Sequence, residues 1–177
     1  MFFCDLETER LLLKNISSDD REFVFSQFSD STVNKYLFDV EPLSSIEGSD
    51  EIINMFLQAE PRTHHRWILI RKIDMVKMGT CGFHCWDIDK NACDVGYDLK
   101  EEYWGKGYMQ EALNAIIIFA KSNMKIREIN AYIYPENIKS VAIAKRLGFK
   151  YLGKKKIEHF QGKEYLHYIY TLYCIAV

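Results

Sequence analysis

The segment Gly105-Lys106-Gly107 stands where a strand-like run, Gly96–Leu99, gives way to a helix-like run. Glycine stabilises neither kind of element and loses much conformational entropy when it is ordered. At the start of a helix, however, glycines let another molecule approach the backbone. The first amides of a helix have no partner within the helix and carry the positive end of its dipole. With the Lys106 cation beside them, they predict a site for an anion such as a phosphate.

The common nucleotide-binding signatures do not fit this segment. The third glycine of G-x-G-x-x-G is replaced by Gln110, and the pattern G-x-x-x-x-G-K-[ST] is absent. Two glycines that merely shape a turn would explain the segment alone equally well. The anion-site prediction therefore depends on the surrounding chain.

Hydrophobic periodicity predicts the elements that must hold this segment. Asp19 and Glu22 resemble a capping box at the start of a first helix. We expect helices from about Asp19 to Phe28, over Ile46–Ala59, from about Tyr108 to Asn123, and over Asn137–Leu147 with Gly148 as C-cap. We expect strands over Thr8–Asn15, Arg66–Arg71, Gly79–Asp87, Ala92–Leu99, Glu128–Tyr134, Lys150–Lys156 and Glu164–Cys174. This order predicts an α/β chain of the α+β type, with helices on the faces of a mixed sheet.

Length and composition favour one globular domain over residues 1–177. Hydrophobic residues make up 48% of the chain, and no apolar run approaches the roughly 20 residues that span a bilayer. The sequence therefore predicts no membrane association, and no secretory signal is visible at its start. Five cysteines without a framework spacing are typical of a reducing cytoplasm.

Charge is distributed unevenly along the chain. The net charge of −2 argues against a nucleic-acid partner. Residues 1–62 carry 13 acids and 5 bases, whereas residues 121–177 carry 4 acids and 11 bases. Solvated surfaces alone could produce such a split, or it could reflect an anionic ligand near the C-terminal half and an amine near the N-terminal half. In the second case Asp39, Glu41 and Glu47 are candidates for the rim of an amine site.

A wider set of motifs surrounds the glycine segment. The chain combines a strand containing Gly96-Tyr97, the sequence W-G-K-G-Y from Trp104, N-x-x-S from Asn137 and L-G-F from Leu147. This combination resembles the GNAT acyl-CoA N-acyltransferases, and within them the RimJ/RimL-like ribosomal-protein N-acetyltransferases. The stretches TERLLLKNI and HFQGKEYLHYIYTL resemble that branch too, so the likeness covers nearly the whole chain. It implies the GNAT fold, with six to seven strands and about four helices.

The resemblance implies where coenzyme A binds. In the family, backbone amides of the loop after the fourth strand hold the pyrophosphate. Asn137 would hold the pantetheine arm, and Glu102 departs from the commoner Gln or Arg of the loop. The predicted cofactor-binding residues are Leu99, Trp104, Gly105, Lys106, Gly107, Tyr108, Met109, Asn137 and Ser140.

Acyl transfer to an amine needs a neutral nucleophile, an oxyanion donor and a proton or hydrogen bond for the leaving thiolate. The resemblance points to Asp94 as base, although the branch usually has the longer Glu there. His84 on the neighbouring strand is a rival, because its ordinary pKa lies near neutrality. A backbone amide near Val95 or Gly96 would serve the oxyanion. Either carboxylate or imidazole could also be purely structural.

Ser140 is the candidate that would assist the thiolate. The broader family often uses a tyrosine four residues before the L-G-F glycine, but this chain has Ala144 there. Ser140 matches the N-x-x-S motif of the branch and lies one helical turn from Asn137. Ser140 could instead only satisfy the backbone of a first helical turn. Cys81, His84, Cys85 and Cys93 do not form a closed ligand set, so no metal is expected.

The sequence thus predicts an acetyl-CoA-dependent N-acetyltransferase that works by direct transfer in a ternary complex. Acetyl-CoA would be the co-substrate, and the acceptor would be a protein N-terminus, a polyamine or another small amine. A homodimer is compatible with the sequence. The alternative is a non-catalytic acyl-CoA-binding or sensing module on the same fold, which the shorter carboxylate and the missing tyrosine keep open.

Overall fold

A computed structural model describes residues 2–38, 41–60 and 62–174. The described residues form one eight-stranded sheet in the order β1-β2-β3-β4-β5-β6-β8-β7. Only β5 and β6 pair in parallel, and the other neighbours are antiparallel. The strands are β1 Leu6–Glu7, β2 Leu11–Asn15, β3 His65–Arg71, β4 Val76–Asp87, β5 Ala92–Leu99, β6 Glu128–Ile133, β7 Lys150–Phe160 and β8 Lys163–Tyr173.

In the part of the chain that the structure describes, five α-helices cover the two faces of the sheet. They are α1 Arg21–Phe28, α2 Ser31–Asn34, α3 Glu47–Phe56, α4 Tyr108–Ser122 and α5 Ile138–Arg146. Single 3-10 turns precede α1 and the loop before α4, at Ser18–Asp20 and Glu101–Tyr103. The GNAT-type fold expectation is confirmed, with eight strands where six to seven were expected and five helices where about four were expected.

Strand alternation divides the core into two layers. On β3, Trp67 and Leu69 point into a large cluster with α4 and α5, whereas Ile68 and Ile70 point into a smaller cluster with α1 and α3. All four side chains are at most 7% exposed. The sheet is therefore buried on both faces at its centre, as its near-continuous apolar runs require.

Two local expectations at the N-terminus need correction. The predicted strand Thr8–Asn15 begins only at Leu11, because the Thr8 amide donates to the Leu11 carbonyl at 2.9 Å in the turn that joins β1 to β2. The capping box is Ser17 with Asp20, not Asp19 with Glu22. The Ser17 amide donates to the Asp20 carboxylate at 2.8 Å, so the helical segment starts earlier than the pattern indicated.

The parallel pairing of β5 and β6 is short. Its register runs from Ala92 opposite Glu128 to Asp94 opposite Asn130, although β5 continues to Leu99 and β6 to Ile133. The two strands therefore part beyond Asp94 and Asn130. We call this point the fork. Parting strands leave main-chain groups without a neighbour in the sheet, which creates room and hydrogen-bonding capacity for a ligand.

Candidate active site

The loop Trp104–Gly107, here called the G-K-G loop, joins β5 to α4. Gly105 and Gly107 both have positive φ, +72° and +79°, and Gly107 is the N-cap of α4. A Cβ added at Gly105 would meet nothing within 4 Å. Both glycines are thus favoured by the backbone conformation, and the space beside Gly105 is not filled by the protein. The first amides of the 15-residue helix α4, like those of any helix, lack partners within the helix and are available to an anion.

Side chains of the loop anchor it rather than line it. The Trp104 indole donates to the Leu99 carbonyl at 2.7 Å, and Lys106 Nζ donates to the Glu102 carbonyl at 2.7 Å. Leu99 and Met109 are 8% and 4% exposed, so both side chains belong to the core. The predicted residues from Leu99 to Met109 lie together, and main-chain groups are what they offer a cofactor.

The first turn of α5 forms the opposite wall. Asn137 is its N-cap, and its side-chain oxygen accepts the Ser140 amide at 3.2 Å. The side-chain NH₂ group of Asn137 then remains for a ligand. Lys139 Nζ lies 3.6 Å from the centroid of the Trp104 ring, a cation–π contact that joins α5 to the G-K-G loop. Asn137, Ser140 and the loop are therefore brought to one cleft.

An apolar wedge lies behind this cleft, on the α4 and α5 side of the fork. It is a narrow crevice with a cavity volume of only about 10 Å³, lined by Val95, Tyr97, Leu113, Ile117, Ala131, Ala144, Leu147 and Phe149. Ala144 is 2% exposed, so the small residue that replaces the tyrosine of the broader family faces this packed wall. A phenol reaches the region from β5 instead. The Tyr97 hydroxyl lies 3.4 Å from the Ser140 carbonyl.

Asp94 lies at the vertex of the fork and, by strand alternation, on the opposite face from Val95 and Tyr97. Burial raises the pKa of its carboxyl to about 6. The Lys156 ammonium opposes this rise, Glu128 adds to it, and the Asn130 amide opposes it. A carboxyl with a pKa near 6 is mostly ionised at neutral pH and still a competent proton acceptor.

His84 is directly opposite Asp94 in the antiparallel pair of β4 and β5. The pKa of its imidazole is lowered to about 3, mainly by burial and in addition by the charges of Arg66 and His64. Arg66 Nη2 lies 2.9 Å from His84 Nε2. Because a guanidinium only donates, Nε2 must be the acceptor and the ring proton sits on Nδ1. The lone pair that a base needs is already engaged.

A buried polar network supports this face of the fork. Arg66 Nη1 donates to Asp98 Oδ2 at 2.9 Å, and Thr80 and Gln27 donate to the same carboxylate at 2.5 and 2.7 Å. Gly96 gives this network its room, since a Cβ there would lie 2.7 Å from His84 Nε2. The group that approaches Gly96 closely is therefore a side chain of the protein itself.

Charged and aromatic side chains far apart in sequence surround Asp94. Burial raises the pKa of Tyr132, the charge of Asp94 raises it further, and Lys156 opposes this. Lys156 Nζ lies 5.1 Å from the centroid of the Tyr132 ring and 2.6 Å from the Glu158 carboxylate. No spacing pattern joins these residues, and sequence reasoning missed Lys156 and Asn130 for that reason.

The three acidic residues predicted for the rim of an amine site, Asp39, Glu41 and Glu47, differ in where they lie. Asp39 lies outside the described residues. Glu41 accepts a hydrogen bond from Gln161 at the turn of β7 and β8 at 2.7 Å, which brings it to the side of the sheet that carries β6 and β8. Glu47 lies 3.7 Å from Arg21 in the contact of α1 with α3.

Two negative findings apply to the described residues alone. No group of three or more His, Cys, Asp or Glu side chains there is arranged to hold a metal ion. No helix in that part of the chain is long and apolar enough to cross a membrane. The five cysteines are free thiols.

A profile of the acetyltransferase (GNAT) domain matches residues 10–150. The chain therefore belongs to the GNAT acetyltransferase family, and the sequence-based assignment as an enzyme that uses acetyl-CoA for N-acetyl transfer is confirmed. A cradle of two positive-φ glycines at a helix N-terminus fits the pyrophosphate of this co-substrate.

Relatives and solved structures extend this result. An uncharacterised N-acetyltransferase, p20, of Bacillus licheniformis is 29% identical over 170 residues, which are 94% of each chain. The ribosomal protein uS5-alanine N-acetyltransferase of Escherichia coli is 38% identical over 66 residues, 37% of this chain and 34% of that enzyme. The crystal structure of spermidine N-acetyltransferase from Vibrio cholerae, in complex with CoA and spermine, superposes with a TM-score of 0.81 at 17% identity, over 94% of this chain and 96% of the other.

Proposed function

We propose that the protein transfers the acetyl group of acetyl-CoA to a primary amine at the fork, by direct attack within a ternary complex. The observation that carries this proposal is the position of Asp94. It stands where β5 and β6 part, on the face opposite the apolar wedge and the G-K-G loop. A thioester held from the wedge side would present its carbonyl in the fork, and an amine would approach from the Asp94 side.

Each group of the site would have one task. The amides at the start of α4 would hold the pyrophosphate, and Asn137 would hold the pantetheine arm. The bound thioester supplies an activated acyl carbon. Asp94 would accept the proton that the amine loses as its nitrogen bonds to that carbon. A main-chain N–H near Val95 or Gly96 would donate to the carbonyl oxygen, since β5 has no strand partner on that side.

Ser140 would donate a hydrogen bond to the departing sulfur as the carbon–sulfur bond breaks. A thiolate is a good leaving group, so a hydroxyl that donates a hydrogen bond suffices. The Ser140 amide and carbonyl are held by Asn137 and Tyr97, which fixes the position from which its hydroxyl projects. The products are an N-acetylated amine and free coenzyme A.

The acceptor that we favour is a protein N-terminal amine, as in the RimJ/RimL-like branch. Two observations support it. The match to the uS5-alanine N-acetyltransferase, although short, is the most identical of the relatives described above. The Lys156 ammonium beside Asp94 would repel the second charge of a polyamine, whereas a peptide brings one charge to the fork. We further propose a cytoplasmic location, which the free cysteines support.

Release of free thiol from acetyl-CoA tests the proposal. The acceptors are peptides beginning with alanine or serine, the same peptides with a blocked N-terminus, and spermidine. We expect thiol release and an acetyl mass gain with the free peptides alone. Turnover with spermidine alone would overturn the choice of acceptor. Coenzyme A binding without turnover on this panel or on a cell extract would favour the non-catalytic alternative.

A further inference from the structure

The carboxylate of Glu111, in the first turn of α4, is held by the hairpin turn between β1 and β2. Its Oε1 accepts the Thr8 hydroxyl at 2.6 Å and the Arg10 amide at 2.8 Å, and its Oε2 accepts Arg10 Nε at 2.6 Å. Burial alone would raise the pKa of Glu111, but these hydrogen bonds outweigh it and the pKa is lowered. We call these three residues the Thr8–Arg10–Glu111 clamp.

The clamp reaches the G-K-G loop through the guanidinium of Arg10. Arg10 Nη1 donates to the Lys106 carbonyl at 3.0 Å, and the guanidinium carbon lies 4.5 Å from the centroid of the Tyr108 ring. A Cβ at Gly107 would lie 3.4 Å from Arg10 Nη2, so the guanidinium packs directly behind that glycine. One side chain therefore contacts three consecutive residues at the mouth of α4.

The hydrogen bond to Lys106 fixes a peptide plane. In a trans peptide the carbonyl of one residue and the N–H of the next point in opposite directions. With the Lys106 carbonyl directed at Arg10, the Gly107 N–H must point away from Arg10. The two flanking glycines, with φ of +72° and +79°, do not by themselves hold this plane, because glycine moves readily between conformations.

We propose that Arg10 is a positioning residue for coenzyme A, acting through the backbone of the G-K-G loop and not through its own charge. The inference rests on the proposed placement of the pyrophosphate at this loop. Ordering the loop in advance removes an entropic cost that binding would otherwise bear. Arg10 thereby sets cofactor affinity without contacting the acetyl group or the acceptor.

Arginine is required because this side chain must donate hydrogen bonds in two directions at once. Nε engages Glu111 while Nη1 engages Lys106, and the planar guanidinium holds both bonds in fixed geometry. Lysine keeps the charge but cannot make both bonds from one rigid plane. An ion pair as exposed as this one, with 43% of the Arg10 side chain accessible, adds little to global stability. Loss of Arg10 should therefore affect binding rather than folding.

The test measures coenzyme A affinity by calorimetry for the wild type, Arg10→Ala and Arg10→Lys. Arg21→Ala is the matched control, because Arg21 makes a two-bond pair with Asp50 and is 38% accessible, but lies on α1. We expect about tenfold weaker binding for both Arg10 variants and no change for Arg21→Ala. The kcat at saturating acetyl-CoA should stay within about twofold, and the KM for acetyl-pantetheine, which lacks the pyrophosphate, should not change.

Each other result is informative. Wild-type affinity in Arg10→Ala would overturn the inference, and wild-type affinity restored in Arg10→Lys would show a direct ionic contact with phosphate instead. If Arg10→Ala does not fold, Glu111→Gln replaces it, since that variant removes the charge partner at constant size and should also weaken binding. Failure of the wild type to bind coenzyme A would overturn the loop assignment and this inference together. Binding without acetylation would overturn the proposed reaction alone.

Discussion

The G-K-G loop and the fork differ in which part of the chain would do the chemical work. The loop offers main-chain amides to a ligand. Its side chains hold the loop in place, as the Trp104 indole does by donating a hydrogen bond to the Leu99 carbonyl. The fork offers side chains, and its central carboxyl is tuned by burial and by charges from β6 and β7. A site of amides tolerates side-chain substitution but not a change of backbone, whereas a site of side chains has the opposite sensitivity.

The largest effect is expected from Gly107→Glu in the loop. A non-glycine residue is strained at a φ of +79°, and its Cβ would lie 3.4 Å from Arg10 Nη2, so the larger side chain would displace the guanidinium that holds the loop and add a negative charge beside the predicted anion site. We expect coenzyme A affinity to fall at least about 100-fold, or some 2.7 kcal/mol. Gly153→Glu is the matched control, because Gly153 also has positive φ, +85°, but is exposed on β7. If calorimetry gave Gly107→Glu the same coenzyme A affinity as the wild type, the pyrophosphate would not bind at this loop.

Asp94→Asn is the corresponding change at the fork. It keeps the shape and removes the proton acceptor, so kcat should fall about 10²-fold, at the lower end of the range for general base catalysis. Coenzyme A affinity should be retained. In the wild type the active form is the carboxylate, so activity should rise with pH through about 6 and level off above it. The variant should lack that rise.

Asp87→Asn controls for loss of a carboxylate on the same pair of strands, since Asp87 pairs with the exposed Lys90. A fully active Asp94→Asn between pH 6 and 9 would favour direct attack by an amine already neutral in solution. It would also mean that Asp94 contributes to the shape of the fork but not to proton transfer.

Ser140→Ala should lower kcat less, by about tenfold or below, because it removes one hydrogen bond to a good leaving group. The backbone of Ser140 stays fixed by Asn137 and Tyr97, so coenzyme A affinity should not change. Ser122→Ala is the control, because Ser122 lies at the C-terminal end of α4, away from the first turn of α5. An unchanged kcat in a reaction limited by chemistry would assign the leaving thiolate to another donor, for which the Tyr97 hydroxyl, 3.4 Å from the Ser140 carbonyl, is a candidate.

The smallest effect is expected from Lys156→Met. The Lys156 ammonium lowers the pKa of Asp94, so its removal should raise that pKa and move the rising limb of the pH profile to higher pH, by less than about one unit. Lys155→Met is the control, because the neighbouring side chain projects to the other face of β7, 5.4 Å from the centroid of the Tyr168 ring. A limb that does not move would show that Asp94 is not the titrating group.

The sequence by itself determined the parts that depend on local chemistry. The start of α4 at Tyr108, the N-cap Asn137 and most strands follow from periodicity and from residues that only certain backbone conformations accept. The G-K-G loop was recognisable because the function proposed for it depends on three consecutive residues. The errors at Thr8 and at the Asp19–Glu22 capping box were also local, and they arose where two overlapping patterns compete for the same backbone groups.

Only the tertiary structure decided the chemistry of the fork. Asp94 was named as a candidate from the sequence, but the choice between it and His84 depends on burial and on Arg66, whose guanidinium occupies the imidazole lone pair from a different strand. Lys156 and Asn130 join the site because β6 and β7 lie on the far side of β5 in the sheet order. The clamp likewise joins Arg10 to Glu111 across 101 positions. A pKa and a peptide orientation are set by neighbours in space, and these neighbours cannot be inferred from the spacing of residues in the sequence.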